Sequence, residues 1–266
     1  VDLLGEHVDY NDGVVLPAAI DRYVTLRVDV LDEPVVRLQA DNLNAEAAFS
    51  LKDLGGKKDL NGQPLPGFAL YPAGVAWALQ QAGFLVKGLA VKYSSDIPIG
   101  AGLSSSAAVE VGFALAWQTA GEWDIPRMEL VKLCRKAENE YVGVNCGLMD
   151  QFACAFGVAE HALALDTRSL AWQTLPLPKD VVIVIADSGV RRSLAASSYN
   201  SLRSDCREAV ERLRAWCSSL TSLRDVTPQF LQTHLGELLE RVARRALHVV
   251  EEMARVEQAI GYLVEG

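Results

Sequence analysis

Between Tyr23 and Leu51 the chain alternates in hydropathy with period two. Val24, Leu26, Val28 and Val30 fall on one side, followed by further apolar runs at Val35 to Leu38 and Ala47 to Leu51, so this region predicts half-buried β-strands. Pro64 and Pro66 mark an irregular connection, and Ala73 to Gly83 reads as a short helix ended by glycine. Leu89, Val91 and Tyr93 alternate again, as a strand would. Ala107 to Thr119 is almost continuously apolar apart from Glu110, the pattern of a buried helix. A further helix is predicted from Pro126, at its first position, to about Tyr141, with Leu130, Leu133, Cys134, Ala137 and Tyr141 on one face. Val158 to Thr167 and Ser169 to Leu175 predict a hairpin, and the β-branched run Val181 to Ala186 a central strand. From Ser197 onward the pattern is helical, broken near Ser218 to Ser222 and at Pro228. There Arg241, Arg244, Arg245, Glu237, Glu240, Glu251 and Glu252 read as solvated faces.

The junction before the buried helix carries the first sign of chemistry. Pro98-Ile99-Gly100-Ala101-Gly102-Leu103-Ser104-Ser105-Ser106-Ala107-Ala108 lies where a strand hands over to a helix N-terminus. The first four N–H groups of a helix lack internal partners and carry partial positive charge. Three successive hydroxyls add donors, and Gly100 and Gly102 let the backbone close on an oxygen cluster, so the stretch reads as a phosphate cradle. A P-loop would need a Lys-Ser/Thr pair, and a dinucleotide fingerprint a third glycine where Ser105 stands.

Three other stretches are rich in polar groups but ambiguous from residue type alone. Gly5-Glu6-His7-Val8-Asp9-Tyr10-Asn11-Asp12-Gly13 is good turn chemistry, although carboxylates also bridge sugar hydroxyls. Glu138 suits a Mg²⁺ site near phosphate, although residue type alone favours a charged surface patch with Glu140. Asp150 opens an apolar helical pattern, where Asp is a good N-cap.

Composition narrows the partners. The 266 residues are 50% hydrophobic with a formal charge of −9, which argues against nucleic acid or an anionic membrane as partner. No apolar run reaches the roughly 18 residues of a membrane span. Five cysteines without a CxxC pair, several at apolar helical positions, predict reduced, mostly buried thiols in a cytoplasmic protein.

In order and composition, Pro98 to Ala108 resembles the phosphate-binding motif of the GHMP small-molecule kinases. Val1-Asp2-Leu3-Leu4-Gly5-Glu6-His7-Val8-Asp9-Tyr10-Asn11-Asp12-Gly13 closely resembles the signature of the galactokinase family within them. Ala137-Glu138-Asn139-Glu140-Tyr141 matches the family segment whose first Glu holds a metal. Cys146-Gly147-Leu148-Met149-Asp150-Gln151-Phe152 matches the run whose Asp is the catalytic base, and Asp187 to Asn200 resembles a segment whose Tyr contacts the sugar.

The resemblance implies an α+β, two-domain GHMP kinase fold. Residues 1–180 would form an N-terminal domain resembling ribosomal protein S5 domain 2, and residues 181–266 the start of an incomplete C-terminal domain. The implied reaction is ATP-dependent phosphorylation of the anomeric hydroxyl of galactose, with Asp150 as base. Asp9 would bind the O3/O4 edge of the sugar, Glu6 and His7 would lie near O6, and Tyr199 would also contact it. Gly100, Gly102, Leu103, Ser104, Ser105 and Ser106 would hold the nucleotide, and Ser106 with Glu138 would hold Mg²⁺.

Two departures from the family pattern bear on the sugar subtype, Arg192 in place of His and Leu202 in place of Arg; Asp2, where the family more often has Asn, is a mild departure. A kinase for N-acetylgalactosamine or arabinose is the alternative enzyme, and a silent galactose and ATP sensor the alternative outside enzymes. The intact Ser104 to Ala108 run and Asp150 speak against the sensor. The family's catalytic Arg would precede Val1 and its closing glycine-rich motif would follow Gly266, so more chain is expected at both ends. Oligomeric state is left open.

Overall fold

The computed structural model describes residues 1–98, 100–187 and 199–265. Strands β1 (Asp2–Leu4) and β2 (Val14–Pro17) flank the acidic loop. They are followed by β3 (Val24–Leu31), β4 (Val35–Ala40), β5 (Ala45–Ser50), helix α1 (Gly67–Gln81), β6 (Gly88–Ser95) and α2 (Ser105–Gly121). Then come α3 (Arg127–Lys136), α4 (Met149–Phe156), β7 (His161–Asp166) and β8 (Trp172–Pro176). The last part carries α5 (Tyr199–Leu213), α6 (Pro228–His234) and α7 (Glu240–Glu265). The fold is α+β, as the family resemblance implies. No helix among the described residues is long and apolar enough to cross a membrane.

Two four-stranded sheets organise the chain. The first has the order β3-β6-β4-β5, with β4 and β6 parallel and the other pairs antiparallel. Its apolar face, including Val36, Leu38, Leu89 and Val91, is covered by α1, α2 and α3, where Leu79, Phe113, Trp117 and Leu130 are buried. The second sheet has the order β1-β2-β7-β8 and is antiparallel throughout. Both of its faces are covered. Leu163 and Leu165 of β7 join a cluster with α5, α6 and α7, while Ala162 and Ala164 pack with Leu16 and Val256. That two-sided burial explains why the central residues of β7 are apolar without alternation.

Several boundaries differ from expectation. Helix α1 begins at Gly67, six residues before Ala73, and carries Pro72 inside it. The fully buried residues around Pro72 supply the packing that overrides its missing N–H donor. Pro126 is the N-cap of α3 and not its first helical residue. The predicted helix to Tyr141 is α only to Lys136, and Ala137–Val142 is a wider π turn. The run at Val181 to Ala186 is not a strand, and Val181, Val182 and Val184 are exposed. Among the described residues no strand lies beside it, so its β-branched side chains have no pleated neighbour to fit. Glu252 is buried and so does not belong to a solvated face, whereas Arg241 is exposed as expected and pairs with buried Asp205. Of the five free thiols only Cys134 and Cys206 are buried; Cys154 is exposed on the outside of α4.

One ion pair ties the second sheet to the helices. Arg224 donates to both carboxylate oxygens of Asp166 at 2.7 and 2.6 Å and to the carbonyl of Asp12 at 2.7 Å. The guanidinium holds the Asp166 carboxyl well below its ordinary range, against the opposing effect of burial. A depressed carboxyl stabilises the fold above its unfolded value, about 4, and loses that contribution as pH falls below it. Arg224→Met is therefore expected to cost about 1.5–3 kcal/mol at pH 7. Chemical denaturation across a pH series should show the gap from wild type narrowing as pH falls below about 4.

Candidate active site

The loop after β6 is shaped by alternating left-handed backbone. Gly100, Gly102 and Ser104 have φ of 71°, 76° and 56°. Glycine adopts this conformation freely, whereas Ser104 does so at a cost of about 1–2 kcal/mol. Ser104 is the N-cap of α2, yet its side chain makes no capping bond. Its hydroxyl lies instead toward the carboxylate of Asp150, where it favours the charged form. The first turn of α2 is thereby left uncapped by its own N-cap residue and faces a cleft of about 1250 Å³.

That cleft gathers the sequence-predicted positions. Gly100, Gly102, Leu103, Ser104, Ser105 and Ser106 line it from the α2 end, and Glu6, His7 and Asp9 from the acidic loop. Glu138, Asp150 and Tyr199 line it from three further elements. Of the segment Asp187 to Asn200, Ser188 to Ser198, including Arg192, lies outside the described residues, as does Ile99.

Asp9 lies at the floor of the cleft, where it accepts the N–H groups of Met149 and Tyr10. Burial, and then the neighbouring Asp150, push its carboxyl up to about 7. Close approach is possible because residue 147 has no side chain, since a Cβ on Gly147 would overlap the Asp9 carboxylate. Asp150 is the second residue of α4 and not its N-cap, which is Leu148. Burial raises the Asp150 carboxyl as well. Asp2 completes the group. Its two oxygens are buried without a hydrogen-bond partner among the described residues, and burial with Glu6, Asp9 and Asp150 nearby lifts it to about 7.

Helix α7 fastens the acidic loop from outside. The N–H of Gly5 donates to Glu252 at 2.8 Å, and Nε2 of His248 donates to the carbonyl of Glu6 at 2.9 Å. On the cleft side the Tyr10 hydroxyl meets Nδ1 of His7 at 2.8 Å, and the Tyr199 ring lies 5.3 Å from His7 and 5.4 Å from Tyr10 between centroids.

The π turn at Ala137–Val142 sets Glu138 inward, only 3% exposed. Such wide turns recur at functional sites. Glu138 accepts from Gln151 Nε2 at 2.6 Å and from the Cys146 thiol at 3.1 Å, and the Ser106 hydroxyl beside it favours its charged form. Ser106 and Glu138 thus present a hydroxyl and a carboxylate side by side at the cleft. This pair fits a magnesium ion, which takes hard oxygen donors, binds few protein ligands and keeps water and phosphate for the remainder.

Residues 71–158 match the family described as GHMP kinases N terminal domain, and residues 1–29 match the galactokinase galactose-binding signature. Galactokinase of Thermotoga petrophila is 38% identical over 268 residues, covering 100% of this chain and 70% of that protein. The chain belongs to the galactokinase family. Galactokinase of Roseiflexus sp. (strain RS-1) is 41% identical, covering 100% of this chain and 66% of that protein. The chain therefore spans about two thirds of the length of the curated relatives it matches. The crystal structure of Lactococcus lactis galactokinase complexed with galactose aligns with a TM-score of 0.88 at 29% identity, over 100% of this chain and 68% of that one. Methanococcus jannaschii mevalonate kinase shares the fold, with a TM-score of 0.56 at 16% identity over 91% of this chain and 76% of that one.

Several residues at this galactokinase-family site carry little signal in the sequence. Glu110 reads there only as an interruption of an apolar helix, yet a lone carboxylate in a buried pattern is itself a signal. Glu252 and His248 have no local signal, because their partners lie more than 240 residues away.

Asp9 gives a test of the electrostatics. Its folded value near 7 lies above the unfolded value near 4, so in that window the native protein holds a proton that the unfolded chain has released. Stability should accordingly fall as pH rises from about 4 to 7. Asp9→Asn is expected to flatten that slope and to be more stable than wild type at pH 8 by at least about 1 kcal/mol. Thermal melts from pH 5 to 8 read both effects.

Proposed function

We propose that the cleft transfers the γ-phosphate of ATP to the anomeric hydroxyl of galactose, with Asp150 as the general base. The observation that carries this reading is the convergence of Asp150, the acidic loop and the uncapped start of α2 on one cleft. In this reading Asp9, with Glu6, His7 and Tyr199, orients the sugar. A carboxylate that accepts two backbone N–H groups is fixed in direction and still has lone pairs for a pair of adjacent hydroxyls.

Asp150 takes the proton of the anomeric hydroxyl while that oxygen forms a bond to the γ-phosphorus. The bond to the bridging oxygen breaks and ADP leaves. The Ser104 hydroxyl favours the charged form of Asp150, and burial brings its basicity nearer to neutral pH, where a base is most effective. The N–H groups at the start of α2, with Ser105 and Ser106, receive the phosphates. Ser106 and Glu138 would hold Mg²⁺, which would supply positive charge to the phosphate oxygens. The negative character of the cleft makes that positive charge necessary, because Asp2, Glu6, Asp9 and Asp150 would otherwise repel the nucleotide. Five free thiols and no disulfide suit a reducing, cytoplasmic setting.

Two variants separate the roles, measured in the full chain. Asp150→Asn is expected to lower kcat by roughly 10²- to 10⁴-fold with sugar affinity nearly kept; a turnover near wild type would remove Asp150 as the base. Asp9→Ala is expected to weaken galactose binding by about 1.5–3 kcal/mol in calorimetry and to leave binding of an ATP analogue unchanged. Equal losses for both ligands would mean that the variant is misfolded.

A further inference from the structure

Behind the Ser106–Glu138 pair lies a second carboxylate, which does not itself line the cleft. Glu110 sits on α2, one turn beyond Ser106, and is fully buried. Among the described residues the only side chain that donates to it is Gln151, whose Nε2 reaches Glu110 Oε2 at 2.9 Å and Glu138 Oε2 at 2.6 Å. A carboxamide nitrogen has two hydrogens in one plane. With one hydrogen on each carboxylate, the amide of Gln151 is committed in both position and rotation. Gln151 is itself buried, and its carbonyl oxygen, like Oε1 of Glu110, has no hydrogen-bond partner among the described residues.

We propose that Glu110 is a positioning residue: by fixing the Gln151 carboxamide from behind, it sets the direction in which the Glu138 carboxylate faces Ser106 and the metal. The inference rests on the reading of Ser106 and Glu138 as the Mg²⁺ ligands. A carboxylate that merely filled space here would be a poor choice, because an apolar side chain fills the same volume without desolvating a polar group. What an apolar residue cannot do is accept the amide hydrogen that keeps Gln151 from turning away from Glu138. Partners one step removed from a metal commonly orient its ligands in this manner.

The test is titration of the full chain with Mn²⁺ in the presence of a non-hydrolysable ATP analogue, followed by electron paramagnetic resonance, with galactose affinity measured in parallel. Glu110→Leu should weaken Mn²⁺ binding by about 10- to 100-fold and leave galactose affinity unchanged. Glu110→Gln keeps an acceptor oxygen for the amide and should restore Mn²⁺ binding to near the wild-type value. Gln151→Met cuts the same link from the other side. It should reproduce the loss, and combining it with Glu110→Leu should add little. Gln151→Met decides the matter if Glu110→Leu does not fold. Wild-type Mn²⁺ affinity in Glu110→Leu or Gln151→Met, with a loss in Glu138→Gln, overturns the positioning role alone. So does a parallel loss of Mn²⁺ and galactose binding. Equal Mn²⁺ affinity in wild type and Glu138→Gln overturns the metal reading and this inference with it.

Discussion

Carboxylates crowd this cleft more closely than their charges favour. Asp2, Asp9 and Asp150 are each raised by burial before any neighbour is counted, and Glu110 and Glu138 stand a single amide apart. Groups so placed hold protons or await a cation, and they lower stability at neutral pH. The remainder of the fold offsets that cost. The sheet of β3 to β6 is sealed by α1, α2 and α3, and the sheet of β1, β2, β7 and β8 is covered on both faces, so that the acidic groups hang from two rigid walls. Strain concentrated at a site and offset by a well-packed scaffold is the expected arrangement where chemistry needs groups that folding alone would not bring together.

Ser104 follows the same logic on a smaller scale. Its left-handed backbone and its uncapping of α2 are both locally unfavourable, and each serves the cleft: the first bends the chain around an open space, and the second leaves helix N–H groups pointing into it. Its hydroxyl lies toward Asp150. A helix start that satisfied itself would have no donors left for a phosphate.

Much of this arrangement is legible in the residue pattern. The strands from Val24 to Ser50, the helix after the glycine and serine run, and the β7–β8 hairpin follow from periodicity, because each buries one well-defined side or lies wholly inside. The positions lining the cleft follow from the order of residues in short motifs. Less legible are features decided at a distance. The start of α1 is hidden by Pro72, which acts as a breaker only where packing does not hold the helix. The π turn that aims Glu138 has no signature in hydropathy. Val181 to Ala186 has every local mark of a strand and lacks a partner among the described residues, which shows that β-propensity describes a fit to neighbours and not a property of the segment. Glu252, placed among solvated charges by its surroundings in sequence, is buried because the N–H of Gly5 needs an acceptor.

The fastening of the acidic loop by α7 also bears on the order in which the molecule is made. Within this chain the loop leaves a ribosome long before the two groups that hold it, since His248 and Glu252 are 242 and 247 positions behind their partners. Until α7 has emerged, the N–H of Gly5 and the carbonyl of Glu6 have only water to bond. The two walls of the cleft thus mature at different times. The α2 side, built from contacts within the first sheet and its helices, can consolidate during synthesis, whereas the acidic loop waits for contacts of very long range, which close slowly. A nascent chain therefore acquires its phosphate-facing wall before its acidic one, and the complete cleft is a property only of a molecule whose first loop has met its distant helix.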